Sequence, residues 1–473
     1  MDIFVAKCQF RETFFALYRL KKQSFFCPYR NKMLTLRYII QSIKYTLMQY
    51  ILHAPHSIDA TINLPASKSI SNRALVINAL AHRNGTDGED TAIAHPDNLS
   101  HCDDTDVMVA ALRDMPYVIN IKAAGTAMRF MTALLSVTPK EHILTGTERM
   151  MHRPISVLVG ALRQLGAEID YASTEGYPPL RIRGKKLEGG KLDIEGNVSS
   201  QYISALLMIG PVMEQGLTLH LTGKIISRPY IDLTICTMKE FGADVDWIDG
   251  STIEVKPVPY KSVPFTIEND WSASSYWYEI LALLANNSVV TLPGLMDGSR
   301  QGDSAIRYIF SMLGVKTEFA EKALLKPNIV TLRAHHRGLP RFDFDFINQP
   351  DLAQTVVVTT ALMGIPFRFT GLQTLRIKET DRIAALKTEM AKLGYDLDDS
   401  EEGTLSWDGK RRQITEMPAI DTYEDHRMAM AFAPACIMFP GLKINNPEVV
   451  TKSYPHFWDD LKNAGFDVEP LNS

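Results

Sequence analysis

Apolar and polar positions along this chain fall into one arrangement that recurs. Residues Ala161-Leu-Arg-Gln-Leu-Gly-Ala-Glu-Ile169 read as the end of an amphipathic helix, a glycine, and an alternating strand. The same arrangement returns at 237–245, 310–317, 389–397 and 461–468. In each, the glycine suits the left-handed position just past a helix end, where a side chain is strained. These glycines, 166, 242, 314, 394 and 465, lie 76, 72, 80 and 71 residues apart. Residues 110–119 read as a sixth copy that has lost its glycine. Units this long do not form a solenoid, and each carries its own strands and helices. The pattern therefore predicts an α/β (α+β) protein of two similar domains with three units each. A helix–glycine–strand junction alone is common in such proteins; the near-constant spacing is what argues for a repeat.

The apolar run that comes nearest to a membrane span, 428–442, is too short for one and contains Pro434 and Pro440. With 473 residues, 45% of them hydrophobic, the chain instead has material for two or three cores. Five cysteines without paired spacing point to a reducing compartment and a cytoplasmic protein. No Cys/His cluster has metal-ligand spacing, so no metal and no cofactor are expected. A net charge of −4 makes clustered Lys and Arg local features. They suit a small polyanionic ligand and not nucleic acid or a membrane surface. A monomer is the working expectation.

The N-terminal stretch differs from the rest. Its first 50 residues hold nine Lys or Arg, two acids and no glycine. They lack the apolar core of a signal peptide and the serine content of a transit peptide. Residues 1–53 are expected to lie outside the fold, or else to supply an amphipathic surface helix over 34–52. Met33 and Met48 offer alternative starts, and Met48 directly precedes residues that read as the first strand.

Candidate chemistry gathers at predicted helix starts. Leu64-Pro-Ala-Ser-Lys-Ser-Ile-Ser-Asn-Arg73 leads into a helix over 69–80, with Lys68, Ser69 and Arg73 around its first turn. Free N–H groups and the helix dipole favour an anion there. Gly125 and Thr126 open a second helix over 126–136, and Arg153-Pro154 a third. Ser199, Ser200 and Gln201 precede an apolar helix; Ser227 and Tyr230 repeat the arrangement one unit on. In the second half, Asp351 heads an apolar helix, and Lys378 and Arg382 read as i,i+4 partners beside Glu379. His426 and Arg427 start another helix, where a cation opposes the dipole unless an anion is bound. Lys452 precedes the terminal helix. Singly, each segment also reads as a capped surface helix with solvated charges.

Seven of these segments, in order from about residue 54 to the end, resemble the 5-enolpyruvylshikimate-3-phosphate synthase family. The resemblance implies the enolpyruvyl-transferase fold, two domains of three βαβαββ units around an interdomain cleft. It implies domain I from 54–66 plus 268–473, domain II from 67–267, and hinge crossings near Lys68 and Asp270. The implied reaction moves the enolpyruvyl group of phosphoenolpyruvate to the 5-hydroxyl of shikimate 3-phosphate and releases phosphate. Carried over by position, Lys68, Ser69, Arg73, Ser199, Ser200, Gln201, Ser227, Tyr230, Asp351 and Lys378 resemble the shikimate 3-phosphate contacts. Lys68, Gly125, Arg153, Gln201, Arg382, Arg427 and Lys452 resemble the phosphoenolpyruvate cradle. Asp351, Glu379 and Lys68 resemble the catalytic groups, with Asp351 near the 5-hydroxyl and Glu379 serving the enol carbon.

The chain departs from the family pattern in places. Asp103-Asp104 and Ala124-Gly125 are unusually close, so one hairpin of the first unit of domain II is expected to be trimmed. Ala123 and Thr374 stand where asparagines are common, and Trp271 enters the usual small-residue run at the hinge. Retention of Gly125 implies sensitivity to phosphoenolpyruvate mimics such as glyphosate. Two alternatives stand beside this reading. A UDP-N-acetylglucosamine enolpyruvyl transferase typically needs a loop cysteine, and no cysteine falls in a matching segment. A non-catalytic phosphate or RNA-end binder gains nothing from acids set among its cations.

Overall fold

The computed structural model describes residues 48–83, 96–321, 326–335 and 339–471, so what was expected of residues 1–47 falls outside it. Within it the recurring unit is β-α-β-α-β-β. One copy runs Val118–Asn120, Gly125–Ser136, Lys140–Thr145, Ser156–Gln164, Glu168–Tyr171 and Leu180–Gly184. The next runs Gly190–Glu195, Ser200–Ile209, Leu217–Thr222, Arg228–Glu240, Val245–Trp247 and Thr252–Val255. In both sheets the first two strands are parallel, joined by a helical crossover, and the last two add as an antiparallel pair. Strand side chains alternate in burial, as in Leu217–Thr222, where each inward apolar residue is followed by one that faces outward.

The second half repeats the unit three times. Two of its sheets are completed by strands from the start of the described chain. Asp59–Thr61 pairs parallel with Val289–Met296. Gln49–His53 lies between Leu442–Asn445 and Asp467–Leu471, antiparallel to both. Residues 49–53 are therefore part of the fold, and the expected N-terminal boundary at 53 moves back to 48. The same pairing makes 49–52 a strand and not the end of a surface helix. In the remaining copy the third strand is reduced to isolated bridges from Tyr395 to Arg411 and from Asp398 to Ser406.

All five repeat glycines adopt φ between +85° and +95°. In the sixth copy Met115 occupies the left-handed position at φ +36°, after helix Asp103–Asp114. That helix leads straight to Val118–Asn120, which opens the next unit. Among the described residues this copy keeps two helices but builds no sheet, with only an Asp97–Thr266 bridge. The shortened spacing in the sequence has this physical form.

Buried apolar side chains gather in two large cores. One extends from Ala74 to Tyr260; the other combines Leu52, Ile58, Ile62 and Leu64 with residues from Trp271 to Val468. The chain passes between them twice. There the Ser67 N–H donates to Glu268 O at 2.8 Å and the Asp270 N–H to Pro65 O at 2.9 Å. Trp271 is fully buried, and its indole N–H donates to Glu268 Oε1 at 2.7 Å, which anchors the crossing to the second core.

Candidate active site

A cavity of about 340 Å³ lies between the two cores, and helix starts make up much of its wall. Lys68–Arg83, Gly125–Ser136, Ser200–Ile209 and Arg228–Glu240 each present first-turn residues to it. Every site residue expected from the sequence lines this cavity except Lys452, whose ammonium stands 3.3 Å from Glu379 Oε1. Arg153 does so from a turn, because its helix begins only at Ser156. Four positive helix ends and several full cations thus face one space, an arrangement suited to more than one anion.

On the first wall, hydrogen bonds tie the helix starts together. Gln201 N–H reaches the Ser199 hydroxyl at 3.3 Å, and Gln201 Nε2 donates to Thr126 Oγ1 at 3.0 Å. Arg73 donates to Thr234 Oγ1, Ser69 O, Ser204 Oγ and Tyr230 O over 2.7 to 3.2 Å. Burial pushes its pKa down to about 10. Lys68 Nζ stands 3.0 Å from Asp104 Oδ2. Burial opposes the Lys68 charge, but Asp104, Cys102 and Glu379 outweigh it and raise its pKa above the ordinary lysine value.

The second wall alternates charges. Lys378 and Arg382 are not helical neighbours: Gln373–Ile377 is a 3₁₀ turn and the helix begins at Arg382. They meet instead through Asp351 Oδ1, at 3.2 and 3.0 Å. Arg427 reaches Asp351 Oδ2 at 3.4 Å. Glu379 lies between Arg382 at 2.9 Å and Lys452 at 3.3 Å. Arg382 also pairs with fully buried Asp425 at 2.7 Å, so its guanidinium is shared among three carboxylates. It thus organises the second wall while lining the cavity. Asp425 also accepts from the Arg427 N–H at 3.0 Å and so caps helix His426–Phe432.

Burial alone would favour the neutral carboxyls. For Asp351, Lys378, Arg427 and Arg382 outweigh it and hold the pKa below the usual range. For Glu379, Lys452, Arg382 and Arg153 do the same. Burial, and then Lys68 and Arg427, hold His426 well below the ordinary histidine value. Asp351 and Glu379 are thus held ionised and the His426 imidazole neutral among the cations.

Several groups in or beside the cavity were not singled out from sequence. Asp104 pairs with Lys68; its double-acid motif marked only a spacing. Arg129 sits one helical turn after Gly125, donates to Gly125 O at 2.9 Å, and is pushed down to about 10 by burial and then by Arg153. That i,i+4 spacing from a lining glycine was the available signal. Thr374, to which no role was carried over, lines the cavity with a buried hydroxyl that has no partner among the described residues. Asp303 touches Tyr230 from the second core, and nothing in its local sequence announces that.

The sequence matches the EPSP synthase (3-phosphoshikimate 1-carboxyvinyltransferase) family over residues 52–119 and 114–461. This chain belongs to that family. A 3-phosphoshikimate 1-carboxyvinyltransferase of Bacteroides fragilis is 57% identical over 422 residues, covering 89% of this chain and 99% of that protein. One from Haemophilus influenzae is 34% identical over 441 residues, covering 88% and 99%. The fold is similar to that of an EPSP synthase from Acinetobacter baumannii, with TM-score 0.72 and 22% identity over 90% of this chain and all of that one. It is also similar to the enolpyruvyl transferase NikO from Streptomyces tendae, with TM-score 0.66 and 15% identity over 90% of this chain.

Proposed function

We propose that this protein transfers the enolpyruvyl group of phosphoenolpyruvate to the 5-hydroxyl of shikimate 3-phosphate, releasing phosphate. One observation carries the reading beyond family membership: Asp351 and Glu379 stand in one cavity, each flanked by cations. Both substrates carry a phosphate and a carboxylate, so they need cations in number. An ion pair at ~4 Å and an effective dielectric of ~20 is worth about 4 kcal/mol before desolvation. Several fixed pairs can therefore bind and orient both reactants.

In the addition step the enol methylene carbon gains a proton and the neighbouring carbon bonds the 5-oxygen, which loses its own proton. In the elimination step the new methyl group returns a proton and the carbon–oxygen bond to phosphate breaks. Asp351 is the group for the hydroxyl proton, and Glu379 the group for the carbon proton. Anionic ligands drawing on Lys452, Arg382 and Arg153 would release Glu379 from their stabilisation and let it take up the proton it must deliver. The roles of Lys68, Ser69, Arg73, Ser199, Ser200, Gln201, Ser227, Tyr230 and Lys378 toward shikimate 3-phosphate are part of the proposal. So are those of Lys68, Gly125, Arg153, Gln201, Arg382, Arg427 and Lys452 toward phosphoenolpyruvate. Domain boundaries of 67–267 for one half and 49–66 plus 268–471 for the other are supported by the two cores.

Phosphate release is the test, measured with phosphoenolpyruvate and shikimate 3-phosphate, with a UDP-sugar acceptor, and with no acceptor. Release that requires shikimate 3-phosphate is expected; release indifferent to it would overturn the proposal. Against the UDP-sugar alternative, no cysteine among the described residues lines the cavity, and Cys102 and Cys436 are buried.

A further inference from the structure

We propose that Asp303 is a positioning residue for the acceptor: it fixes the Tyr230 hydroxyl, and with it the acceptor-binding face of one core, to the other core beside the hinge. The inference rests on placing Tyr230 at the shikimate 3-phosphate subsite. Asp303 lies in the 3₁₀ turn Gly302–Ala305, next to Ile306 of the second core, and is 2% exposed. Tyr230 lies in the first turn of Arg228–Glu240, next to Ile231 of the first core. Its hydroxyl donates to Asp303 Oδ1 at 2.8 Å. The other carboxylate oxygen accepts from the hydroxyl of Ser272, whose helix begins at the hinge and whose N–H is capped by Asp270 at 2.8 Å. One carboxylate thus joins a wall of the cavity, the second core and the hinge helix.

The neighbouring backbone is fitted to this contact. A Cβ on Gly302 would meet Pro229 Cβ at 2.6 Å, so only glycine lets the turn approach the residue before Tyr230. Arg300, just ahead of the turn, pairs with Glu240 at the far end of the Tyr230 helix. A buried acid in this place is costly. Burial, and then Asp351, push the Asp303 carboxyl up to about 6, with Arg427, Ser272 and Tyr230 opposing. Above that pH it is an ionised acceptor, which holds a phenol more firmly than a neutral one does. Affinity for the acceptor should then weaken as pH falls through about 6.

The test compares the intact chain with Asp303→Asn, Tyr230→Phe and the double variant, reading KM for each substrate and kcat against pH. Asp303→Asn is expected to raise KM for shikimate 3-phosphate about tenfold, the worth of one charge-assisted hydrogen bond. KM for phosphoenolpyruvate should change less than that for the acceptor, since Asp303 meets its cradle only through the charge of Arg427 and makes no hydrogen bond there. The share of the pH dependence near 6 that Asp303 supplies should vanish, leaving that of the substrate phosphates, and the double variant should be no worse than Tyr230→Phe. Additive losses in the double variant, or equal rises in both KM values, would overturn the role of Asp303 alone. An unchanged acceptor KM in Tyr230→Phe would instead overturn the placing of Tyr230, and the proposal with it. Should Asp303→Asn fold poorly, Ser272→Ala supplies the second reading. Loss of its hydroxyl should move the pH midpoint upward, and an unmoved midpoint counts against the proposal.

Discussion

A methyl group at Gly125 would lie 2.6 Å from Arg153 Nη1 and 2.8 Å from Arg129 Nη1, inside any normal contact. Gly125→Ala must therefore push both guanidiniums away from the cavity. KM for phosphoenolpyruvate should rise about tenfold, the scale set by one misfitted carbon in a tight site. Inhibition by glyphosate should weaken in parallel, and steady-state kinetics with varied donor would check both. Glu379 leads to a second expectation. Lys452, Arg382 and Arg153 hold it ionised, and bound anions compete for those cations. Binding of both substrates near neutral pH should then take up protons, measurable by calorimetry in buffers of different ionisation enthalpy. Glu379→Gln should abolish much of that uptake and lower kcat about 10²- to 10⁴-fold. No net uptake in the intact protein would falsify this account of Glu379. At this scale the sequence named most of the charged lining groups through their motifs. It did not name Asp104 and Asp303, because an acid acquires such a role only from the cation or phenol that folding sets beside it.

Helix Trp271–Leu284 begins at the hinge and carries two local conflicts. Glu279 is fully buried in it, with no hydrogen-bond partner for either oxygen among the described residues. Burial pushes its pKa well above the ordinary glutamate value, with the nearby Thr359 hydroxyl opposing. Its folded pKa exceeds its unfolded one, so its contribution to stability is intact below about 4.5 and is lost as pH rises toward the folded value. Glu279→Gln should therefore gain on the parent as pH rises above about 5, by up to about 1.4 kcal/mol per unit. Urea titrations at several pH values would show it, and a constant difference would count against it. Ala285 follows the same helix in an exposed, left-handed conformation at φ +46°. Ala285→Gly should stabilise the chain by about 0.5–1 kcal/mol, since glycine adopts that conformation without strain. The repeated helix–glycine–strand junctions were legible because each is a local rule. The helix expected at Arg153 and the helical pairing of Lys378 with Arg382 were misplaced. Pro154 and the 3₁₀ turn at Gln373–Ile377 delay those helices, and tertiary contacts decide where they begin.

Across the whole molecule, side-chain contacts join the two halves as well as the chain crossings. Thr451 Oγ1 donates to Asp103 Oδ2 at 2.7 Å, and Arg149 stands 3.3 Å from Glu424. The N-terminal boundary has the simplest test. Strand Gln49–His53 is hydrogen-bonded on both edges inside its sheet. A chain starting at Met48 should retain folding and turnover, whereas one starting at Ala54 should lose both, as circular dichroism and phosphate release would show. Equal behaviour of the two truncations would refute the strand's importance. The sequence by itself determined the repeating unit, the family, the residue types at the helix starts and most of the site. Those follow from local periodicity, glycine stereochemistry and short motifs, all of which are written contiguously. Only the tertiary structure decided that Gln49–His53 completes a sheet begun almost 400 residues later. It alone decided that Arg382 is shared by three acids and that Asp303 reaches Tyr230. Such pairings join segments far apart in the chain, and packing of the two cores brings them within bonding distance.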